Sequence, residues 1–245
     1  MKKTILAMTC ALSVAALAVA DEGKDYFAEA GHPTFVFQIG LDDPVQWPAA
    51  KYNVYGIRLD LIAPVCHDMY GIDLGFVGVT THNLYGIALN FASIVDSDLA
   101  GLQVGLFGNV AGGSAYGVQL AGLFNYGRSI GAGFQASMVN VSSVYTGLQL
   151  GGLVNVTKNE YWGVQLGLVN VGLADTHGWS LGAVNNTSRL FGVQIGFVNL
   201  ATESGNGIQL GIFNGANNYN GIQIGVLNAL SNGAIEILPI FNANF

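Results

Sequence analysis

The chain has 245 residues, of which 9% are charged and 51% hydrophobic, with 8 basic and 15 acidic side chains, a net charge of −7 and a mean hydropathy of +0.45. That acidic balance argues against a nucleic-acid partner, because binding to a phosphate backbone rests on lysine and arginine. So small a supply of charge also makes an ordinary water-facing surface hard to furnish.

Residues 1–20 read as a cleaved export signal: Lys2 and Lys3, an apolar stretch from Thr4 to Val19, and Ala18-Val19-Ala20 before Asp21. Their removal leaves six basic against fifteen acidic side chains, a net of −9. Cys10 leaves with the signal and is poorly placed for lipid attachment. Cys66 then stands alone, so one mature chain can form no internal disulfide. Past the leader no run of about 18 apolar residues occurs, so no transmembrane helix is expected. Residues 21–33 form a short N-terminal segment, and residues 34–245 a single domain.

Thr34-Phe-Val-Phe-Gln-Ile-Gly-Leu41 alternates apolar and other residues with a period of two, as a strand does. The connection from Asp42 to Asn53, carrying Pro44, Trp47 and Pro48, is the longest loop. From Gly56 onward a glycine opens the same short phrase twelve times, at Gly56, Gly71, Gly86, Gly101, Gly117, Gly133, Gly147, Gly163, Gly178, Gly192, Gly207 and Gly221, spaced 14 to 16 residues apart. A fixed period of that size marks a repeat architecture.

Within each phrase the residues one and three places after the glycine are apolar, as Ile57/Leu59 and Trp179/Leu181 are. The residue between them is Gln103, Gln119, Gln135, Gln149, Gln165, Gln194, Gln209 or Gln223, replaced elsewhere by Arg58, Asp73, Ala88 and Ser180. Alternation puts aliphatics on one face of a strand and glutamines on the other. Tyr55, Tyr70, Tyr85, Tyr116, Trp162 and Phe191 stand just before the glycine and share the aliphatic face. Segments such as Thr157-Lys-Asn-Glu160 read as turns. The last strand is Ala234–Phe245, interrupted by Pro239.

Two architectures suit such a repeat. In a β-solenoid the aliphatics fill a dry core and the glutamines form an outer ladder; in a membrane barrel the aliphatics face lipid and the glutamines a lumen. One apolar strand per repeat, a ten-residue span with about five residues left for a turn, and an even strand count favour an all-β antiparallel transmembrane barrel of about 14 strands, with the solenoid as the alternative. The aromatics before each glycine would then build two interfacial girdles. The terminal Phe245, with Phe241 and Ala243 on its face, resembles the C-terminal signature by which outer-membrane barrels are recognised by their assembly machinery.

The glycine-glutamine phrase resembles the GLQLGLxN-type surface-repeat proteins of bacteria, well over Gly101 to Asn228 and loosely over residues 34–94. The resemblance implies a bacterial outer-membrane location and no settled activity. The expected partners are outer-membrane lipid and the barrel-assembly machinery. No cofactor and no metal are expected.

Chemistry-bearing residues are few. Cys66-His67-Asp68 has the composition of a catalytic or metal cluster, yet neighbours in a turn cannot all converge, and His32, His82 and His177 lie in separate connections. Ser137 and Ser180 lie in strands without a paired histidine, so no enzymatic activity is expected. Arg58 and Asp73, on adjacent strands, read as a structural ion pair, and Asn155, Asn170, Asn199, Asn214 and Asn228 as groups that satisfy turn backbone. The expected function is a passive pore for small polar solutes lined by Arg58, Asp73 and the eight glutamines. The alternative is a structural or surface-exposed repeat protein that mediates binding.

Overall fold

The computed structural model describes residues 32–245; the signal-peptide reading and most of the 21–33 segment lie outside the described residues. The strands are β1 (Thr34–Asp42), β2 (Val45–Trp47), β3 (Asn53–Ala63), β4 (Val65–Cys66), β5 (Met69–Thr80), β6 (Leu84–Val95), β7 (Leu99–Ala111), β8 (Ala115–Ala121), β9 (Phe124–Gly127), β10 (Ile130–Ser142), β11 (Val144–Thr157), β12 (Glu160–Leu181), β13 (Val184–Ala216), β14 (Tyr219–Leu230) and β15 (Ile237–Asn244).

Their pairing corrects the barrel. Consecutive repeats pair in parallel and in register, Gly133 opposite both Gly117 and Gly147, Gln135 opposite both Gln119 and Gln149. The chain is a β-solenoid of about 13 turns, so neither an antiparallel closed barrel nor a porin-like set of transmembrane strands exists. At a strand spacing of 4.7–4.9 Å the stack is roughly 60 Å long. Antiparallel pairing is confined to the ends: β2 folds back on β1 and β15 on β14. Those end strands cap the stack, and with them the loop expected between Asp42 and Asn53 becomes a cover for the first coil. β15 carries a register shift opposite Gly225–Asn228, where Pro239 lies, and the next residue, Ile240, is held at φ +68°. A β-branched residue at positive φ is rare, and here it accompanies the bulge that a proline forces on a paired strand.

The opening glycines set the rise from coil to coil. All twelve have φ between +124° and +153°; Gly56 lies over Val36, and each of the other eleven sits directly over the glycine of the preceding coil. A Cβ on Gly147 would be driven into the carbonyl oxygen of Gly133, and so on through the stack. Glycine is required there twice over, by conformation and by contact.

Each coil is flattened, with two corners. Its first side runs through the glycine-glutamine phrase, the chain turns at residues such as Gly151-Gly152-Leu153, and the second side returns through Val154–Thr157 to the polar turn Lys158-Asn159. The second glycine of the phrase makes the first corner possible. On Gly151 a Cβ would meet the Asn155 side chain at 2.7 Å, and on Gly182 it would meet Asn170 at 2.8 Å. This return is what the ten-residue transmembrane span left out: the second half of the repeat is a second wall of the coil.

Which face points inward is also reversed from the usual solenoid. Glutamines and asparagines fill the interior beneath the first corner: Gln149, Gln209, Asn155 and Asn214 are each 0% exposed. The aliphatics of the phrase lie outside, with Leu168 at 54% and Phe197 at 64%. Among the described residues the larger buried apolar side chains gather beneath the polar turns, where Val54, Met69, Leu84 and Leu99 stack at one end and Leu190, Tyr219 and Leu230 at the other, and Ala88 is buried in the glutamine row.

Polar groups can fill an interior only if they are satisfied, and here they bond along the axis. Nine asparagines, from Asn109 to Asn228, are joined side chain to side chain by eight hydrogen bonds of 2.8–3.0 Å. Each Nδ2 also donates to a main-chain carbonyl of the next coil, as Asn155 does to Leu166 at 2.9 Å. The asparagines therefore do satisfy backbone, but at the corner of the neighbouring coil. The glutamines form a second ladder from Gln103 to Gln165, which stops at Ser180 and resumes from Gln194 to Gln223.

Candidate interaction surface and side-chain clusters

The ten residues expected to line a lumen all point inward, and all are 0–3% exposed. They meet packed protein instead of water. Arg58 and Asp73 continue the glutamine row at its N-terminal end, and the ion pair expected between them is present at 2.6 Å. Arg58 donates Nε to Asp73 Oδ1 at 2.8 Å and Nη1 to the Val79 carbonyl at 2.7 Å and the Cys66 sulfur at 2.9 Å. Asn90 donates to Asp73 Oδ2 at 2.8 Å.

Asp60 completes this cluster. Its carboxyl lies 3.2 Å from Arg58 Nε but outside hydrogen-bonding geometry, and neither oxygen has a hydrogen-bond donor. Burial pushes this carboxyl up to about 9, against the pull of Arg58 and with the added push of Asp73. Burial also opposes ionisation of Asp73, but the charge and hydrogen bonds of Arg58 outweigh it and hold Asp73 below the usual range. One guanidinium thus faces one ionised carboxylate and one neutral acid, a balanced charge in a dry interior.

Cys66 parts from His67 and Asp68. Cys66 is buried against Arg58 and Thr80, its thiol pushed up to about 11 chiefly by burial. His67 and Asp68 belong to the polar turn, where they meet His82 of the next coil. The spacing of 15 residues between His67 and His82 is one repeat, a signal present in the sequence that acquires meaning only when coils stack in parallel. His177 lies elsewhere, stacked between Trp162 and Phe191 at 3.9 and 4.6 Å. Ser137 hydrogen-bonds Val139 and Asn140 at 2.8 Å, part of the corner.

The exterior is the largest unpartnered feature. A ridge of large apolar residues follows the first corner from coil to coil, including Phe76 at 52%, Leu106 at 73%, Phe197 at 64% and Val226 at 70% exposure. Both flanking sides are aliphatic. On one of them the six aromatics that precede a glycine share a single column rather than the two girdles expected, because parallel coils superpose them: Tyr55 and Tyr70 stack at 4.2 Å, Tyr70 and Tyr85 at 5.0 Å, while residues such as Ala100, Ala132 and Asn206 interrupt the rail. This rail borders the polar turns.

Charge is segregated accordingly. Apart from the buried trio, the charged residues of the coils are Asp68, Asp96, Asp98, Arg128, Lys158, Glu160, Asp175, Arg189 and Glu203, all in or beside the polar turns. Arg189 pairs with Asp175 one coil away. The solenoid thus has an apolar ridge, two apolar sides, an aromatic rail on one of them, and an opposite edge of hydrophilic turns.

No family model, no curated protein and no solved structure matches the chain.

Proposed function

We propose that the protein is a structural component of the bacterial outer membrane, an exported solenoid seated in lipid by its apolar ridge and sides with its polar turns held at the water surface. The observation that carries this reading is the apolar ridge that follows the first corner, with aromatics along the far edge of one apolar side, next to the polar turns. An exposed apolar surface that spans the whole stack is far larger than the scattered apolar residues of a water-soluble protein. Tyrosine and tryptophan between an apolar surface and a charged edge occupy the position that amphipathic rings take at a membrane interface.

Hydrocarbon is the occupant that this surface accepts most readily. Main-chain groups within the stack are paired coil to coil, and the side-chain amides are bonded inside, so contact with lipid strands few polar groups. The export signal read at residues 1–20 and the resemblance to surface-repeat proteins favour the envelope as its location. No pore enters this reading, since the interior is filled by amide ladders.

The test is flotation of the mature protein with phospholipid vesicles, together with quenching of tryptophan fluorescence by lipids brominated along their acyl chains. Trp162 and Trp179 lie on the outer surface at 49% and 53% exposure. Co-flotation with strong quenching is expected. A protein that stays dispersed in buffer without floating, or that covers its ridge by pairing with a second copy, would refute lipid seating.

A further inference from the structure

Among the described residues, His67, Asp68 and His82 bring together a set of metal-ligating atoms, one from each side chain, all within 4.8 Å of one another. The two rings lie 4.8 Å apart between centroids, and Asp68 Oδ1 is 2.8 Å from His82 Nδ1. The fold fixes this meeting. The His82 N–H donates to the His67 carbonyl at 3.0 Å, so the histidines occupy equivalent places on adjacent coils, and Asp68 is held by the Asn83 N–H at 3.0 Å.

We propose that this cluster is a binding site for a divalent transition-metal ion, with His67, Asp68 and His82 as its protein ligands. Two imidazoles and a carboxylate suit zinc, nickel, copper or cobalt better than magnesium or calcium, which favour sets made wholly of oxygen. Ligand bonds of about 2.0–2.2 Å place ligand atoms roughly 3.3 Å apart in a tetrahedron. His82, at 48% exposure, has room to rotate and bring the present spacing toward that value. Three protein ligands leave a fourth tetrahedral position for a water. Asp98 lies in the same column as Asp68 two coils on, adding negative charge beside the site. A bound ion would clip two adjacent coils together at the polar edge, away from the apolar ridge.

The site is tested with untagged mature protein in detergent, stripped with chelator and titrated calorimetrically with Zn2+, then with Co2+ to read the visible absorption of the bound ion. One Zn2+ per chain is expected, with affinity lowered at least tenfold by His82→Ala and by Asp68→Asn, and unchanged by His177→Ala. Asp68→Asn keeps an acceptor for the Asn83 N–H, and each variant is compared with the parent by circular dichroism. Should His82→Ala fail to fold, His82→Gln replaces it with a side chain of similar size. Absence of Zn2+ binding at about 1 mM, or binding that survives both ligand substitutions, would overturn the assignment.

Discussion

Arg58 and Asp73, fifteen residues apart in sequence and one coil apart in space, form a two-pronged ion pair of 2.8 and 2.6 Å in which both side chains are wholly buried. They stand where later coils carry glutamine. The pair therefore does with charge what Gln119 and Gln135 do with amides, bonding one coil to the next.

Removal of one partner leaves the other charged in a dry interior. Arg58→Gln and Asp73→Gln alone are each expected to lower stability by about 3–5 kcal/mol, whereas the two together, which extend the existing ladder, should cost less than either single substitution. Denaturant melts of the four proteins measure this coupling. Additive effects would show that the two residues act separately.

How much of this was legible in the sequence differs from feature to feature. The alternation that sets Ile57 and Leu59 against Arg58 is plain, and so is the period that carries Arg58 to Asp73. Parity, however, says only that aliphatics and glutamines part company; it does not say which side is enclosed. The decisive residues are the second glycine and the asparagine of each phrase. Gly151 and Asn155 mark a corner, since the glycine clears the space that the asparagine ladder fills. Read as part of a straight strand, that stretch supplies a membrane span; read as a bend, it closes a coil. His67 and His82 were obscured for the same reason, because residues one repeat apart become neighbours only in parallel stacking.

Asp60 makes stability depend on pH in an unusual direction. Its carboxyl titrates near 9 in the folded chain against 3.8 for an unperturbed aspartate, so between those values the folded state holds a proton that the unfolded state has lost. Stability then falls as pH rises through that window, by up to about 1.4 kcal/mol per pH unit. Asp73 acts oppositely: its lowered value adds stability that is present above pH 4 and disappears below it. Asp60→Asn, which imitates the protonated acid, should flatten the decline between pH 5 and 9 in a series of thermal melts. Parallel slopes in parent and variant would contradict the assignment.

The glycine column predicts a sharp contrast between two substitutions in one repeat. Gly147, at φ +134°, has the Gly133 carbonyl beneath it, while Gly152 at the corner would present a Cβ 3.1 Å from the movable sulfur of Met138. Gly147→Ala should destabilise by at least about 1–3 kcal/mol, and Gly152→Ala by much less. Comparable losses at the two positions would mean that the column does not set the rise.

The apolar ridge separates lipid seating from folding. Leu153 and Leu168 project from adjacent coils at 42% and 54% exposure and contribute little to the polar interior. Replacing both by glutamate leaves the amide ladders and the glycine column intact, so the β signature in circular dichroism should persist. Placing charge in hydrocarbon, by contrast, costs about 2.5–3.5 kcal/mol per residue near the membrane centre, and the double variant should lose most of its flotation with vesicles. Ser143→Glu, in the polar turn, is the matched control and should float as the parent does. Equal flotation of the ridge and turn variants would show that the ridge is not what meets the lipid.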